Sequence, residues 1–412
     1  MTGKRIAVLA AALAGLVLAG CGGGEALRSQ EDGDADEENG GGDGAPAPVK
    51  IGLLVPTSGV YTSLGEDMRR GFDLYLDQNG GQLGGRDVEL VTADEGAGPD
   101  TGVPAARRLV TRDRVAVVTG IVNSAVALGV RDFFTEAKVP LLISNAGADD
   151  LTGEAGSPFL WRTSFANSDP NLALGGWLAA TPEAEGGVFM LGADYAAGKE
   201  QLGGFRKAFE EGGGKVLGEV YTPFGTTQDF QPFLTQARQS GAKAVFAFYA
   251  GAEAVTFVRQ YAEFGLAETT PLYGPGFLTE GSVLDAQGPA SIGIKTSLHY
   301  ASELDTPLNT KFVTAYQEVY GDTPTTYSVQ SYDAALVLDE AIGRLDGEIT
   351  GRRLVDAFGR IGDIDSPRGE WRFGEDQNPD QSFYLREVRT EGEGLVNAVL
   401  EDLGPLDVSA SS

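Results

Sequence analysis

From Val49 onward the chain alternates between two hydrophobic rhythms: short continuous apolar runs, and longer stretches in which apolar residues recur every third or fourth position. The runs read as buried strands and the longer stretches as amphipathic helices. "VKIGLLVP" predicts a strand, "SLGEDMRRGFDLYLDQNGG" a helix stopped by glycines, "DVELVTAD" a strand and "TGVPAARRLVTRD" a helix. "VAVVTGI" and "VPLLISN" are further strands with the helix "SAVALGVRDFFTEAK" between them. After Ser168 the rhythm restarts with "GVFMLGADYAAGKEQLGGFRKAFEEGGG", and continues through "KVLGEVYTP", "TTQDFQPFLTQARQSG", "AVFAFYAGAEAVTFVRQYAEFG" and "TPLYGPGF". This order predicts an α/β fold with two Rossmann-like lobes, each built on a parallel sheet.

In that register equivalent positions fall at equivalent strand ends. Tyr61 and Tyr195 each follow the first strand of a lobe, Ser124 and Ala252 a middle strand, and Asn145 and Pro275 the next. Ligands of open α/β sheets bind beyond the carboxyl ends of the strands, so these positions are the candidate site. In "VPLLISNAGADD" a buried strand runs into a turn of small residues, which lets a ligand approach the backbone closely. Ser124 in "GIVNSAVALG" stands at the expected start of a helix, where a hydroxyl and free N–H groups hold a carboxylate or where a serine simply caps the helix. The amides of Asn145, Ala146 and Gly147 offer a second set of donors. Tyr61, Tyr195, Tyr249, Tyr273 and Phe277 are expected to form an aromatic wall.

The N-terminus changes the picture from a free protein to a tethered one. Lys4 and Arg5 precede an uncharged apolar run from Ile6 to Ala19, and "LAGC" ends at Cys21, the chain's single cysteine. The pattern is that of a secretory signal, residues 1–20. It ends like a bacterial lipobox, which predicts lipidation of Cys21 and an extracytoplasmic, membrane-anchored protein. Residues 21–48 carry eight acids, one arginine and many glycines without apolar periodicity, and predict a disordered tether. A ligand-binding domain over 49–405 and a tail over 406–412 complete the expected organisation.

Composition then removes alternatives. The formal charge of -28 and the absence of a Lys/Arg cluster argue against nucleic acid as a partner. One histidine, His299, cannot make a metal pair, and it is expected to be structural. Neither a nucleophile elbow nor a phosphate-binding glycine loop of the P-loop type is present. We expect no catalytic residue, no metal and no cofactor. The alternatives are a ligand sensor acting on a membrane receptor, or a hydrolase with an unrecognised carboxylate pair.

"IGLLVPTSGVYTSLGEDMRRGFDLYLDQNGG", "TGIVNSAVALG", "VPLLISNAGA", "FLWRTSFANSD", "DYAAG", "FYAGAEAVTFVRQYAEFGL", "YGPGF" and "YSVQSYDAALVLDEAI" together resemble the leucine/isoleucine/valine-binding type of extracytoplasmic solute-binding protein. The resemblance implies the type I periplasmic-binding fold, serving an ABC permease and its ATPase subunits as a monomer. It implies three crossings near Asn167, Thr296 and Asn378. Lobe 1 is then about 49–167 and 297–378, and lobe 2 about 168–296 and 379–405. Ser124 matches the family serine that binds the ligand carboxylate, Ala146 a backbone contact and Tyr195 an aromatic that covers the ligand. Two positions depart from the amino-acid binders: Ala148 stands where they have threonine, and Gly276 where they have the acid that pairs with the ligand ammonium. Asp94, Asp194 or Glu253 are the candidate replacements for that acid. "DYAAG", "FYAGAE" and "YGPGF" also resemble a branch associated with aromatic carboxylates such as benzoate derivatives, so the expected ligand is a small carboxylate, branched-chain amino acid-like or aromatic.

Overall fold

The computed structural model describes residues 47–406 apart from Glu393; the signal segment, Cys21 and the tether up to residue 46 lie outside the described residues, as do residues 407–412. The first half runs β1 (Val49–Val55), α1 (Thr62–Gln78), β2 (Gln82–Leu83), β3 (Arg86–Asp94), α2 (Pro99–Thr111), β4 (Val117–Gly120), α3 (Ser124–Ala137), β5 (Leu141–Ile143) and β6 (Leu160–Arg162). These strands form one sheet in the order β2-β3-β1-β4-β5-β6, parallel except for the short β2–β3 pair. β1 lies between β3 and β4 with both faces covered from Ile51 to Val55, and this explains the run of uncharged residues there. β3 has only the two-residue β2 beyond it, and its residues are mostly partly exposed.

The second half runs α4 (Asp169–Ala179), β7 (Val188–Ala193), α5 (Ala196–Glu211), β8 (Val216–Thr222), α6 (Gln231–Ser240), β9 (Ala244–Phe248), α7 (Gly251–Glu263), β10 (Leu272–Pro275), α8 (Ser282–Gln287) and β11 (Lys295–Leu298). Its parallel strands take the order β11-β10-β9-β7-β8, so β7 occupies the place that β1 has in the first sheet. The two lobes thus share one strand order. The chain then returns through α9 (Pro307–Tyr320), α10 (Thr326–Gly343) and α11 (Gly351–Phe358). α10 packs on α1, and its apolar residues between Ala334 and Ile342 pack in the core of the first sheet.

The sheets are not purely parallel, as the sequence pattern suggested. β12 (Asp363–Ser366), β13 (Gly369–Phe373) and β14 (Pro379–Asp380) make a small antiparallel sheet, and β15 (Ser382–Glu391) and β16 (Gly394–Pro405) extend the second sheet antiparallel to β11. Chain therefore passes between the sheets after Arg162, after Leu298 and at Gln381, whereas Thr296 lies inside β11. Buried polar contacts tie these passages together. Gln381 Nε2 donates to Ser164 O at 2.7 Å, Arg368 Nη1 donates to Gln381 Oε1 at 2.8 Å, and Arg368 Nε meets Asp333 Oδ2 at 2.9 Å. One apolar cluster joins the lobes, uniting Leu53, Val55, Tyr61 and Leu64 with Phe246, Phe248 and Phe277.

Candidate ligand-binding site

The strand ends of the two sheets face one another, and the residues that follow them meet in one cavity. Asn123, not Ser124, is the N-cap of α3; its side chain accepts from Ala125 N at 2.8 Å. Glu95 pins the approach to this helix from behind, accepting the N–H groups of Val122 at 2.8 Å and Asn123 at 2.7 Å. Burial pushes the Glu95 carboxyl up to about 8. Ser124 is thereby released from capping and becomes the first helical residue. It is 2% exposed, and its Oγ accepts from Asn167 Nδ2 at 3.1 Å. A hydroxyl that accepts from an amide keeps its own proton for another acceptor, and here it sits at the positive end of a helix dipole.

The turn after β5 is used differently from expectation. Ala146 N–H donates to Ile121 O at 2.7 Å, so this amide is already bonded, and Ala146 does not line the cavity. Asn145 and Gly147 do, with Asn145 Nδ2 donating to Gln330 Oε1 at 2.8 Å. A Cβ on Gly147 would run into Asn167 Oδ1 and the Phe165 ring, so the small residue admits both side chains from the first passage between lobes.

From the second lobe Tyr195, the N-cap of α5, reaches across the cleft, and its hydroxyl is 2.8 Å from that of Tyr61. Tyr195 stacks on Phe224 at 4.3 Å, and Phe277 lies 4.8 Å from Phe165. Burial, and then the neighbouring tyrosine or Glu253, raises both bridging phenols, so they remain neutral hydroxyls. Phe248 and Tyr327 complete the walls. The enclosed space is about 30 Å³, room for a water or two. Among the described residues its lining contains six aromatic rings and no charged side chain. Larger hollows, about 430 Å³ around Trp371 and about 520 Å³ around Arg70, lie away from these strand ends and are lined by charged groups.

Of the residues expected at the site, the fold brings together Tyr61, Ser124, Asn145, Gly147, Tyr195 and Phe277. Tyr249 is a correction. It follows Phe248 on the opposite side of β9, packs on Phe257 at 4.5 Å and lies 3.3 Å from Thr222 Oγ1 in the second-lobe core. Tyr273 likewise faces Trp177, at 6.4 Å, away from the cavity. Gly276 does not line the space; a Cβ there would meet Arg386 Nη2 and Leu298.

None of the three acids proposed to replace the ammonium partner lines the cavity. Asp94 accepts from Thr57 N, Gly96 N and Ser58 Oγ, and these bonds outweigh its slight burial to hold it at about 2. Asp194 pairs with Lys199 at 3.1 Å on the surface. Glu253 accepts from Gly225 N at 2.8 Å, and burial raises it to about 7. A closer acid is Glu200, whose Oε2 takes the other Asn167 Nδ2 proton at 2.7 Å; burial and then Asp149 raise it to about 7. His299 is buried beside Phe165, with Nε2 at 3.0 Å from Gln330 Nε2, and burial together with Arg368 and Arg386 keeps it neutral.

Sequence reasoning placed neither Phe165 nor Asn167 at the site, naming Asn167 only as a crossing between lobes, although both follow β6 and obey the strand-end rule. Tyr327 carried no such signal, because it enters from the first turn of α10, where Thr325 and Ser328 form a capping box.

The periplasmic binding protein family model matches residues 48–393. A Leu/Ile/Val-binding protein homologue of Brucella melitensis is 30% identical over 359 residues, covering 84% of this chain and 89% of that protein. The solute-binding protein of an ABC transporter from R. palustris, solved in complex with benzoate, is 36% identical with a TM-score of 0.81, covering 87% of this chain and 97% of the other. A second R. palustris solute-binding protein, solved with 4-hydroxybenzoate, is 28% identical with a TM-score of 0.81, covering 88% and 99%. These relatives are binding proteins. Two lobes sharing one strand order, a cavity between their strand ends and a family match over most of the chain lead to one assignment: the chain belongs to the periplasmic binding protein family, as an ABC-transporter solute-binding protein of type I fold.

Proposed function

We propose that this protein captures a small aromatic carboxylate between its lobes and delivers it to an ABC importer, permease and ATPase subunits together. The reading rests on the lining of the cavity, rich in aromatic rings and without a charged side chain, with Ser124 at the start of α3 as the carboxylate donor. A bare carboxylate finds a hydroxyl and a helix N-terminus there. An α-amino acid would bring an ammonium group with no counter-charge, forgoing a bond worth about 1.5 to 3 kcal/mol. The benzoate and 4-hydroxybenzoate bound by the two R. palustris proteins belong to the ligand class this lining favours.

Lobe 1 comprises about 49–167 and 299–380, and lobe 2 about 168–298 and 381–405, the later bounds shifted by two residues from the sequence expectation because β11 runs to Leu298 and β14 to Asp380. In the present arrangement Tyr61 and Tyr195 bridge the cleft, so a ring-sized ligand reaches Ser124 only when the lobes part. The protein acts as a monomer held to the outer face of the membrane by a lipid on Cys21. No helix among the described residues is long and apolar enough to cross a membrane.

Calorimetry on residues 49–412 with benzoate, 4-hydroxybenzoate, leucine and phenylalanine tests the ligand class. We expect an aromatic acid without an amino group to bind most tightly; micromolar leucine binding with no response to the benzoates would overturn the reading.

A further inference from the structure

Tyr327 is 1% exposed and lines the cavity, yet its hydroxyl has no hydrogen-bond partner among the described residues. The other polar groups around the cavity are arranged differently. Tyr61 and Tyr195 bond each other, Asn145 bonds Gln330, and Asn167 serves Ser124 and Glu200. Gln201 donates to Asn167 Oδ1 at 3.2 Å. Around the cavity the Tyr327 hydroxyl has no partner at all among the described residues, whereas Ser124, and whichever of Tyr61 and Tyr195 accepts in their shared bond, lack only an acceptor for their own proton. Native proteins seldom leave a buried hydroxyl unsatisfied, because a partner lost from water and not replaced is costly.

The Tyr327 ring is fixed by its neighbours. Phe277 lies 6.2 Å away, and the backbone on either side is held by the N-terminus of α10: Glu280 Oε1 accepts Thr326 N–H at 2.7 Å, and Thr325 Oγ1 accepts Ser328 N–H at 3.3 Å. A hydroxyl so placed cannot swing away to find water elsewhere. Burial raises its ionisation well above the ordinary phenol range, so it is a neutral group able both to donate and to accept.

We propose that Tyr327 is a specificity-determining residue: its hydroxyl takes a hydrogen bond from, or gives one to, a second polar substituent on the ring of the ligand, so that the preferred ligand is a hydroxylated aromatic carboxylate rather than benzoate itself. This rests on the reading of the cavity as a site for aromatic carboxylates. Ser124 then holds the carboxylate and Tyr327 the ring hydroxyl, so that the Ser124 proton and the Tyr327 hydroxyl find their partners in one molecule. A benzoate ring would leave the buried Tyr327 hydroxyl as unpaired as it is in the free protein, whereas a hydroxylated ring would satisfy it, which favours the hydroxylated acid by about tenfold or more.

The test is calorimetry of benzoate and of 2-, 3- and 4-hydroxybenzoate on the wild-type domain and on Tyr327→Phe, with thermal unfolding of both proteins as the folding control. At least one hydroxybenzoate should bind the wild type about tenfold or more tightly than benzoate, and the variant should lose that advantage, its affinities for the hydroxybenzoates falling to that for benzoate. Benzoate binding at least as tightly as every hydroxybenzoate in the wild type would overturn this proposal and leave the aromatic-acid reading standing. So would an equal loss for all four acids in the variant, which marks Tyr327 as packing alone. Binding of none of the four acids by a wild type that melts cooperatively would overturn both. Should Tyr327→Phe fail to fold, Tyr327→His supplies a polar ring, and an unchanged ranking of the four acids with it counts against the proposal.

Discussion

Replacing Ser124 with alanine isolates the carboxylate contact from the rest of the site. The hydroxyl accepts from Asn167 Nδ2 at 3.1 Å and so presents its proton to the cavity. A hydrogen bond from a neutral donor to a buried carboxylate is worth about 1.5 to 3 kcal/mol, and its loss weakens binding about tenfold to a hundredfold. The N-terminus of α3 remains in the variant and retains an attraction for the anion of about 0.3 to 1 kcal/mol, so binding is weakened and not abolished. The effect on the unliganded fold is smaller. Asn167 keeps its bond to Glu200 Oε2 at 2.7 Å and its acceptance from Gln201, and only the amide–serine bond disappears, about 0.5 to 1.5 kcal/mol. Calorimetry with benzoate and 4-hydroxybenzoate, together with thermal unfolding in the absence of ligand, separates the two quantities. An affinity within about threefold of the wild type would place the carboxylate elsewhere in the cavity and refute the assignment of Ser124, because no unmade hydrogen bond to an anion is that small.

Gly147→Ala should abolish binding in the same assay without touching the ligand, because the added Cβ displaces Asn167 and Phe165; retained affinity would show that neither side chain is needed. Glu280→Gln should lower the melting temperature by several degrees, since Arg386 would lose its 2.9 Å partner while staying 1% exposed, and breaking a buried pair costs about 3 to 5 kcal/mol; an unchanged melting curve would contradict the burial. Stability should fall as pH rises from about 5 to about 8. Glu95 and Glu200 hold their protons to about 8 and about 7, above the ordinary 4.5, so their contribution is full below 4.5 and lost once the pH passes the folded value. Thermal unfolding across that range should show the decline, and Glu200→Gln should flatten part of it; a rising melting temperature would reverse the sign. Cys21→Ser in the full chain should move the protein from the washed membrane fraction to the soluble one, and persistent membrane association would exclude the lipid tether.

The central strands β1, β4, β5, β7 and β9 were legible because they are apolar runs with covered faces, and α1, α3, α5, α6 and α7 because their apolar stripes are long and stop at a glycine or at Lys138, which adopts the left-handed conformation. β15 and β16 were not, for a physical reason. The hairpin lies at the edge of the second sheet, where β16 has only β15 as a neighbour, and most β16 residues are partly exposed, so no buried run marks the strand. Within the site the strand-end rule located Tyr61, Ser124, Asn145 and Tyr195 but could not tell which way a side chain points. Phe248 and Tyr249 are adjacent, and the alternation of a strand sends the first into the cavity and the second into the core.

Gly276 shows the deeper limit of reading a site as a row of positions. Seen along the chain, it is a place where an ammonium-binding acid has been lost. In the fold the space above its Cα is filled by the guanidinium of Arg386, which arrives from β15, more than a hundred residues later, and is held by Glu280 Oε2 and by Tyr300 O at 2.7 Å. The substitution therefore exchanges a negative group for the close approach of a positive one. Restoring an acid at position 276 would not rebuild an amino-acid site, because its carboxylate would collide with Arg386 and compete with Glu280 for it before it could reach a ligand. On the proposed reading, the absence of an ammonium partner is thus a property of two elements packed together, and this packing would turn the cavity toward carboxylates that carry no amino group.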